Sequence, residues 1–446
     1  CIDPLLSQLS LVVGKFGEIL SYLIFPYLPS CVSQGLWSLD LSGAQQLLSQ
    51  VLSETLHSLP ALPSLSPAGM PCDKCVIRTI ARCCHLLRHL DVSRCHLLSP
   101  AALLPLGGGA FCSSTGSPSP TLPPLPLCSL LALDTGFGEQ EEDSVAAAAY
   151  LLLSLTFLER LAFTNREGVH GQEEVWRDRN EDEGPSCSHN RTEEEEKRVL
   201  SQSGLILQLK DVNGINCDCP NSLGQLCPGI CSISVNTDNY EDARDRSLGS
   251  LLAAGLQTWS DQLQIFSVQF PGPLMDLLPA LQVAGSSLVS LTVEGVRTSP
   301  HSPLLEVIRA CPRLRELFIS AEPPTTAQEE EDEEDLPQLP NLCSLTLNRM
   351  KPIMSWMSLR KALKCLLAGS PLLEKFSLVS LPCPLNCILH DVLHIRDLNS
   401  FADPTGSSLV PLGRVWHVDL LRTDMTMATL ELSKCKMCRK VQVVWV

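Results

Sequence analysis

Apolar residues between Leu304 and Ile319 change from one spacing to another. The first four are spaced i, i+3, i+4 and i+7, as on one face of a helix, and they are Leu304, Val307, Ile308 and Cys311. Pro312 predicts the end of that helix, because proline has no N–H to donate and clashes with the preceding turn. Leu317 and Ile319 then follow a period of two, which indicates a short strand, and Leu314 lies in the turn between. The stretch predicts one unit of helix, turn and strand.

The LxxLxL spacing of Leu314, Leu317 and Ile319 recurs along the chain. Clear copies begin at Leu87, Leu158, Leu263, Leu288, Leu342 and Leu373, and weaker copies begin at Leu36, Cys128 and Val415. From residue 263 to residue 373 the copies are 25, 26, 28 and 31 residues apart. A strand and a helix repeated at about this period are typical of leucine-rich repeats. We therefore predict an α/β leucine-rich-repeat solenoid, a horseshoe with a concave parallel sheet, convex helices and long disordered loop inserts.

Strand positions follow from the same spacing. Parallel strands are predicted near 90–92, 161–163, 266–268, 291–293, 317–319, 345–347 and 376–378. Alternation along each strand sends the leucines to the core and their neighbours to the open face. The open-face residues that we predict to contact a protein partner are His89, Asp91, Thr292, Glu294, Glu316, Phe318, Thr346, Asn348, Lys375 and His417. The alternative is an ordinary solvent-facing sheet with no binding role.

Composition shifts divide the chain into repeat blocks and inserts. Residues 1–35 are expected to form a helical cap or partial repeat, and repeats are expected over 36–165 and 248–446. The Pro/Ser/Gly-rich stretch 105–126 predicts a flexible insert, and 397–411 predicts a loop. Residues 166–200 and 322–340 are predicted to be acidic disordered inserts. Residues 201–247 are predicted to be an irregular segment that contains cysteines, with a strand at 205–214 as an open alternative.

The net charge of −16 is concentrated in the two acidic inserts. Residues 166–200 hold 11 acidic and 6 basic side chains, and 322–335 hold 8 acidic and no basic ones. The remainder is nearly neutral, so neither nucleic acid nor an anionic membrane is expected as a partner. Both inserts follow predicted strands, so one rim is expected to carry a negative field that steers a basic partner. The alternative is that they only keep the protein soluble. Thr192 and Thr326 lie in contexts that acid-directed kinases favour.

Cysteines number 21, and several fall at predicted core positions. This use as small buried hydrophobes fits a reducing compartment, cytoplasmic or nuclear. Cys217, Cys219, Cys227 and Cys231 leave two interpretations open, a tetrahedral zinc site or a plain loop; we expect the four sulfurs not to converge. Cys72/Cys75 and Cys435/Cys438 are isolated CxxC pairs without the strand–CxxC–helix context of a redox motif. We predict no metal site and no cofactor.

Motifs of catalysis are absent from the sequence. It has no P-loop, no GxSxG, no HExxH and no dinucleotide fingerprint. No apolar run is long enough to span a bilayer, and no secretory segment is recognisable. The chain begins with Cys1 rather than Met, which indicates a fragment or an incomplete gene model. We predict a non-catalytic protein-recognition module rather than an enzyme.

Two repeats carry a resemblance to a known family. The forms IRACPRLRELFIS, at residues 308–320, and RCCHLLRHLDVSRC, at 82–95, resemble the cysteine-containing repeats of F-box/leucine-rich-repeat proteins. The resemblance implies a substrate-recruiting subunit of a cullin-type (SCF) ubiquitin ligase, in which the repeats hold the target. No F-box is found in this sequence, so binding to the ligase adaptor requires one upstream of Cys1. The alternative is a repeat scaffold, or the sensing region of a signalling protein unrelated to ubiquitin.

Overall fold

The computed structural model describes residues 37–42, 48–57, 59–108, 126–136, 144–163, 206–217, 219–237, 248–297, 304–322, 339–348, 356–381, 385–402, 411–423, 426 and 442–444. The chain divides into two compact units, Cys1–Leu209 and Lys210–Val446.

The unit Cys1–Leu209 contains five short strands that pair in chain order, all parallel. They are β1 (Ser38–Asp40), β2 (Ser64–Ser66), β3 (His89–Asp91), β4 (Ala132–Thr135) and β5 (Arg160–Phe163). Helices precede or follow these strands, and they are α1 (Ser49–His57), α2 (Lys74–Cys83), a 3₁₀ helix (Pro100–Gly107) and α3 (Ser144–Ser154).

The unit Lys210–Val446 repeats the same plan with nine described strands, again parallel and paired in chain order. The first five are β6 (Asp211–Asn216), β7 (Ser232–Asn236), β8 (Ile265–Gln269), β9 (Ser290–Arg297) and β10 (Glu316–Glu322). The last four are β11 (Ser344–Asn348), β12 (Lys375–Val379), β13 (His417–Asp419) and β14 (Gln442–Val444). The helices are α4 (Cys219–Leu226), α5 (Leu248–Leu256), a 3₁₀ turn (Gln257–Trp259), α6 (Leu274–Ala284), α7 (Leu304–Ala310), α8 (Trp356–Ala368) and α9 (Leu385–Ala402).

Stacked leucines form the core, because the parallel register places equivalent residues side by side. Leu291, Leu317, Leu345 and Phe376 are successive partners in β9 to β12, and each is at most 2% exposed. Leu314, in the turn before β10, is also fully buried. Parallel strands that pair strictly in chain order, with a helix or turn between successive strands, are typical of the leucine-rich-repeat fold. The predicted leucine-rich-repeat solenoid, the seven predicted strand positions and the inward-facing leucines are therefore confirmed.

Serine side chains in two of the turns tie a repeat to the one before it. The Ser129 hydroxyl reaches the carbonyls of His85 and Leu87, each at 2.8 Å. Ser287 repeats the arrangement, with its hydroxyl 2.8 Å from the Ser260 carbonyl and 2.7 Å from that of Leu263. These contacts satisfy carbonyl groups that the short strands leave unpaired in the turns.

A glycine brings two neighbouring helices unusually close. Gly249 lies in α5, and a Cβ atom there would be 1.5 Å from the carbonyl oxygen of Asp276 in α6. No side chain fits in that space, so the close approach of α5 to α6 requires glycine at this position.

Three predicted boundaries differ from the structure. The segment 201–247, expected to be irregular, contains β6, α4 and β7 and is therefore a repeat. The predicted flexible insert 105–126 begins later, since the 3₁₀ helix extends to Gly107 and Pro126 is again described. The predicted loop 397–411 also begins later, because α9 runs to Ala402 and ends just before Asp403 and Pro404, where proline disfavours helical backbone in the preceding residue.

Other predictions fall outside the described residues. These are the helical cap at 1–35, the acidic insert 166–200, nearly all of the insert 322–340, and Thr192 and Thr326. Among the helices that are described, none is long and apolar enough to cross a membrane.

Candidate protein-binding face

The solvent-facing side chains of β8 to β13 form one continuous surface, here called the open face. Register places its first row in the order Ile265, Ser290, Glu316, Ser344, Lys375 and His417. The second row is Ser267, Thr292, Phe318, Thr346, Ser377 and Asp419. Five strand spacings of about 4.8 Å make the open face roughly 24 Å wide.

Most of the predicted contact residues lie together on the open face. Strands β9 to β13 bring together eight of the ten, and they are Thr292, Glu294, Glu316, Phe318, Thr346, Asn348, Lys375 and His417. Their side chains are half-buried or exposed, as the alternation predicts. His89 and Asp91 belong to β3 in the other unit. Whether the eight residues bind a partner stays a prediction.

Asp91 uses both carboxylate oxygens within its own unit. Its Oδ2 accepts a hydrogen bond from the Ser66 hydroxyl at 3.0 Å, and its Oδ1 accepts one from the Ser93 N–H at 3.0 Å. It therefore joins β3 to β2 and holds the turn that follows β3. This arrangement favours a structural role for Asp91 over the predicted partner contact, while His89 beside it is exposed.

Two apolar side chains near the open face were not among the predicted contacts. Ile265 opens β8 and is 47% exposed, and Trp416 directly precedes β13 and is 41% exposed. Phe318, which was predicted, is half-buried between Thr292 and Thr346. A signal for Ile265 was present, because it precedes the inward-facing Phe266 in the same way that Glu316 precedes Leu317. Trp416 lies one position outside the strand, where alternation makes no prediction.

Trp416 also contacts the side chains of Lys375 and His417. The Lys375 ammonium lies 4.8 Å from the centre of the indole ring, within the range of a cation–π interaction. The His417 ring lies 5.8 Å from the Trp416 ring, at an interplanar angle of 60°. Lys375, Trp416 and His417 thus form one cluster at the β13 end of the open face.

Hydrogen bonds between neighbouring strands hold the acidic side chains of the open face. The Ser290 hydroxyl donates to Oε2 of Glu316 at 3.0 Å, and the Ser377 hydroxyl donates to Oδ2 of Asp419 at 3.2 Å. Oδ1 of Asn348 and Oδ1 of Asp419 are shielded and have no hydrogen-bond partner within the described parts of the chain. Such acceptors are costly in an isolated protein, because they have lost water without gaining a donor.

The cysteines proposed as zinc ligands are spread over a repeat. Cys217 follows β6, Cys219 opens α4, Cys227 follows α4 and Cys231 precedes β7. Burial raises the pKa of the Cys227 thiol to about 11, which favours a neutral, non-coordinating group. The described residues contain no group of three or more His, Cys, Asp or Glu side chains placed to hold a metal ion. Zinc binding therefore has no geometric support in this segment.

The CxxC pair near α2 is divided between core and surface. Cys72 is buried, whereas Cys75 is exposed in the first turn of α2. Between them, Asp73 caps the helix, and its Oδ1 accepts hydrogen bonds from the N–H groups of Cys75 at 2.9 Å and Val76 at 3.1 Å. The residues of this motif thus begin a helix. The second pair, Cys435 and Cys438, lies outside the described residues.

A crevice is present in the Cys1–Leu209 unit. Its walls are mostly leucine, and the residues are Leu152, Leu153, Leu155, Thr156, Leu158, Ile206, Leu207, Gln208 and Leu209. A crevice lined in this way lacks the acids, bases and nucleophiles that catalysis requires. The absence of enzymatic activity stays a prediction.

No family model and no curated protein matches the chain. Among solved structures, the chain is similar to the leucine-rich-repeat-containing protein LegL7 from Legionella pneumophila, with 14% identity over 78% of this chain and 85% of that chain and a TM-score of 0.37. The chain is similar to a TLR13–ssRNA13 complex, with 11% identity over 88% of this chain and 45% of that chain and a TM-score of 0.33. The chain is also similar to the mouse RP105/MD-1 complex, with 12% identity over 92% of this chain and 67% of that chain and a TM-score of 0.33. The fold assignment rests on the parallel repeats themselves.

Proposed function

We propose that this chain is a non-catalytic protein-recognition module that binds its partner on the open face of β8 to β13. The proposal is supported by the accessible apolar side chains that lie among polar ones on the open face. Ile265 and Trp416 are both more than 40% exposed, and Phe318 lies between them. Exposed apolar anchors within a polar surround are typical of protein interfaces.

The size of the open face favours a particular kind of contact. Strands of five residues are about 17 Å long, so the face covers on the order of 400 Å². A standard interface buries about 800 Å² on each partner, so the open face accounts for roughly half of one. A helix or an extended segment fits this area, with the edges of the sheet completing the contact.

A finer proposal is recruitment of a substrate to a cullin-type ubiquitin ligase. Its support is the resemblance of the repeats at 82–95 and 308–320 to those of F-box/leucine-rich-repeat proteins. Adaptor binding then requires an F-box encoded upstream of Cys1. The alternative, a signalling scaffold, uses the same open face without any adaptor.

The acidic inserts add a separate proposal about association. Strand β5 ends at Phe163 and β10 ends at Glu322, where the inserts begin. We propose that their charge speeds the approach of a basic partner, an effect that salt removes. We expect deletion of both inserts to lower the association rate constant at low salt and to leave it unchanged at high salt.

The experiment for the open face is quantitative affinity capture with the whole chain as bait. The test variant combines Ile265→Ser with Phe318→Ala, and the control is Met275→Ser, an exposed apolar residue on α6 that is 38% exposed. We expect the test variant to bind its specific partner at least about thirtyfold more weakly, since two anchors are removed and each is worth about 1–2 kcal/mol. The control should capture as wild type does.

Two outcomes decide between the proposals. If the test variant retains every partner of the wild type, the open face is not the binding site. If the full-length protein captures the ligase adaptor as well as a partner that depends on the open face, the ubiquitin proposal is supported. Partner capture without adaptor supports the scaffold.

A further inference from the structure

Basic side chains line one edge of the open face, where strands β10 to β13 begin. Four of them, Arg313, Arg315, Lys375 and Arg414, are exposed and are here called the basic edge. The acidic side chains at the same edge are Glu316 and Glu374. The edge is therefore net positive in a chain whose net charge is −16. Such a local reversal of charge identifies the basic edge as a candidate contact surface.

Backbone hydrogen bonds place these residues in one row. The Cys343 N–H donates to the Arg315 carbonyl at 2.8 Å, and the Glu374 N–H donates to the Cys343 carbonyl at 2.8 Å. The Trp416 N–H then donates to the Glu374 carbonyl at 2.9 Å. Three strand spacings thus separate Arg315 from Trp416, a distance of about 14 Å. Arg315 lies at one end of this row, and Trp416, two residues after Arg414, lies at the other, with Cys343 and Glu374 between them.

The neighbouring groups leave most of this charge uncompensated. No ion pair joins the four side chains of the basic edge to any carboxylate in the described residues. Glu316 accepts a hydrogen bond from Ser290 on β9, so its carboxylate is held on the side of β10 that faces away from β11 to β13. Lys375 is held over the Trp416 ring, which positions its ammonium without neutralising it.

We propose that the basic edge binds an acidic segment of the partner protein, one with Asp or Glu side chains about 14 Å apart. In an extended segment that distance corresponds to about four residues. Arginine suits carboxylates because its planar donors form paired hydrogen bonds, and Arg315 and Arg414 belong to the two ends of the row. Lys375, on β12, supplies a point charge between them. This inference rests on the proposed function, because it names the chemistry of the partner at the same sheet.

The test uses the whole chain and a synthetic probe. The probe is a fluorescent peptide of about ten residues with two glutamates four positions apart, and its counterpart carries glutamines. The test variants are Arg313→Glu with Arg315→Glu, and Arg414→Glu. The matched control is Arg88→Glu, because Arg88 is exposed and precedes β3 as Arg315 precedes β10. Circular dichroism melts check that each variant folds as wild type does.

Fluorescence anisotropy should show that wild type and Arg88→Glu prefer the glutamate peptide. Each test variant should weaken its binding by about tenfold, and added salt should weaken wild-type binding. Equal binding of the two peptides, or an equal loss in Arg88→Glu, would overturn the proposal. Binding that appears only after the acidic residues 329–335 are replaced by serine would also overturn it, because the occupant would then be the chain's own insert.

Failure of this inference is distinguishable from failure of the proposed function. If Ile265→Ser with Phe318→Ala loses its partner while wild type ignores the glutamate peptide, the open face binds protein but the basic edge has another role. If the basic edge binds the peptide while those face substitutions change no partner, the open-face proposal fails and the acidic-segment site remains.

Discussion

Leu317 and Thr292 lie on neighbouring strands but face opposite sides of the sheet. Leu317 is 2% exposed between Leu291 and Leu345, whereas Thr292 lies on the open face. We expect Leu317→Asp to lower the free energy of unfolding by roughly 3–5 kcal/mol, because it buries a carboxylate without a partner. Thr292→Asp should cost less than about 1 kcal/mol. Urea denaturation of both variants measures the difference, and equal losses would contradict the assigned orientation.

Ser370 occupies a core position that is filled by cysteine in other repeats. It lies three residues before Leu373, as Cys311 does before Leu314, and each pair is joined by a backbone hydrogen bond. Its hydroxyl is fully buried and has no hydrogen-bond partner among the described residues. We expect Ser370→Cys to raise the free energy of unfolding by about 1 kcal/mol, since an unsatisfied hydroxyl is removed.

The reciprocal change provides the control for that prediction. Cys311 is fully buried, and burial raises the pKa of its thiol to about 12. Cys311→Ser should therefore lower the free energy of unfolding by about 1–2 kcal/mol, because a hydroxyl replaces an apolar thiol. Thermal melts in which both exchanges shift the midpoint in the same direction would show that polarity at this position does not matter.

At the scale of elements, helices α8 and α9 are joined by a pair of cations around one carboxylate. Arg360 Nη2 lies 3.0 Å and Lys364 Nζ 3.5 Å from Oδ2 of Asp391. Partial burial acts to raise the pKa of Asp391, but the hydrogen bond from Arg360 and the two positive charges outweigh it and hold the pKa below its usual value. The side chains are about one third exposed, so solvent screens the pair.

A pH dependence follows from the lowered pKa of Asp391. The stabilisation is present above the unfolded-state pKa of about 3.9 and is lost as the pH falls through the folded-state value. We expect Asp391→Asn to cost about 0.5 kcal/mol at neutral pH, and the cost to shrink towards pH 3. Urea melts across that range measure it. In an Arg360→Met background the cost should be smaller, and an unchanged cost would exclude the ion pair as its source.

Strands were predictable where alternation is regular, and β6 shows why prediction failed elsewhere. In β10 the buried residues Leu317 and Ile319 are two apart, as the pattern requires. In β6 the buried residues Val212 and Ile215 are three apart, because the pairing with β7 shifts register between them. Gly214, with φ of 75°, supplies the backbone conformation that absorbs the extra residue. A search for apolar residues with a period of two therefore does not detect such a strand.

Candidate contacts were predictable only as far as each strand extends. The outward positions of β9 to β12 follow from the leucine spacing, and so the predicted contacts on these four strands, from Thr292 on β9 to Lys375 on β12, were found. Trp416 lies before the first paired residue of β13, and its exposure depends on the conformation of the turn. The basic edge was missed for the same reason, since Arg313 and Arg414 belong to turns and become neighbours of the sheet only in three dimensions.

At the scale of the whole molecule, the reactivity of cysteine thiols along the chain measures which parts of the repeats are buried. Cys75, Cys128 and Cys387 are exposed, whereas Cys84 and Cys311 are fully buried. Burial raises the pKa of the thiols of Cys84 and Cys311 to about 12, so few thiolates form at neutral pH. A brief iodoacetamide pulse, read by peptide mass spectrometry, should modify the exposed three in the native protein. It should modify Cys84 and Cys311 only after denaturant is added, and native modification of either would contradict the repeat core.

Gly249 connects the helix side of the repeats to the shape of the open face. Strands are spaced about 4.8 Å apart and packed helices about 8–10 Å, and the difference bends a stack of repeats towards its sheet. By letting α5 approach α6 closely, Gly249 reduces that difference and makes the stack locally straighter. We therefore expect the curvature at β8 and β9, and with it the shape of the surface around Ile265, to depend on a residue on the opposite side of the sheet. Affinity in such a repeat protein can change through a residue that the ligand never touches.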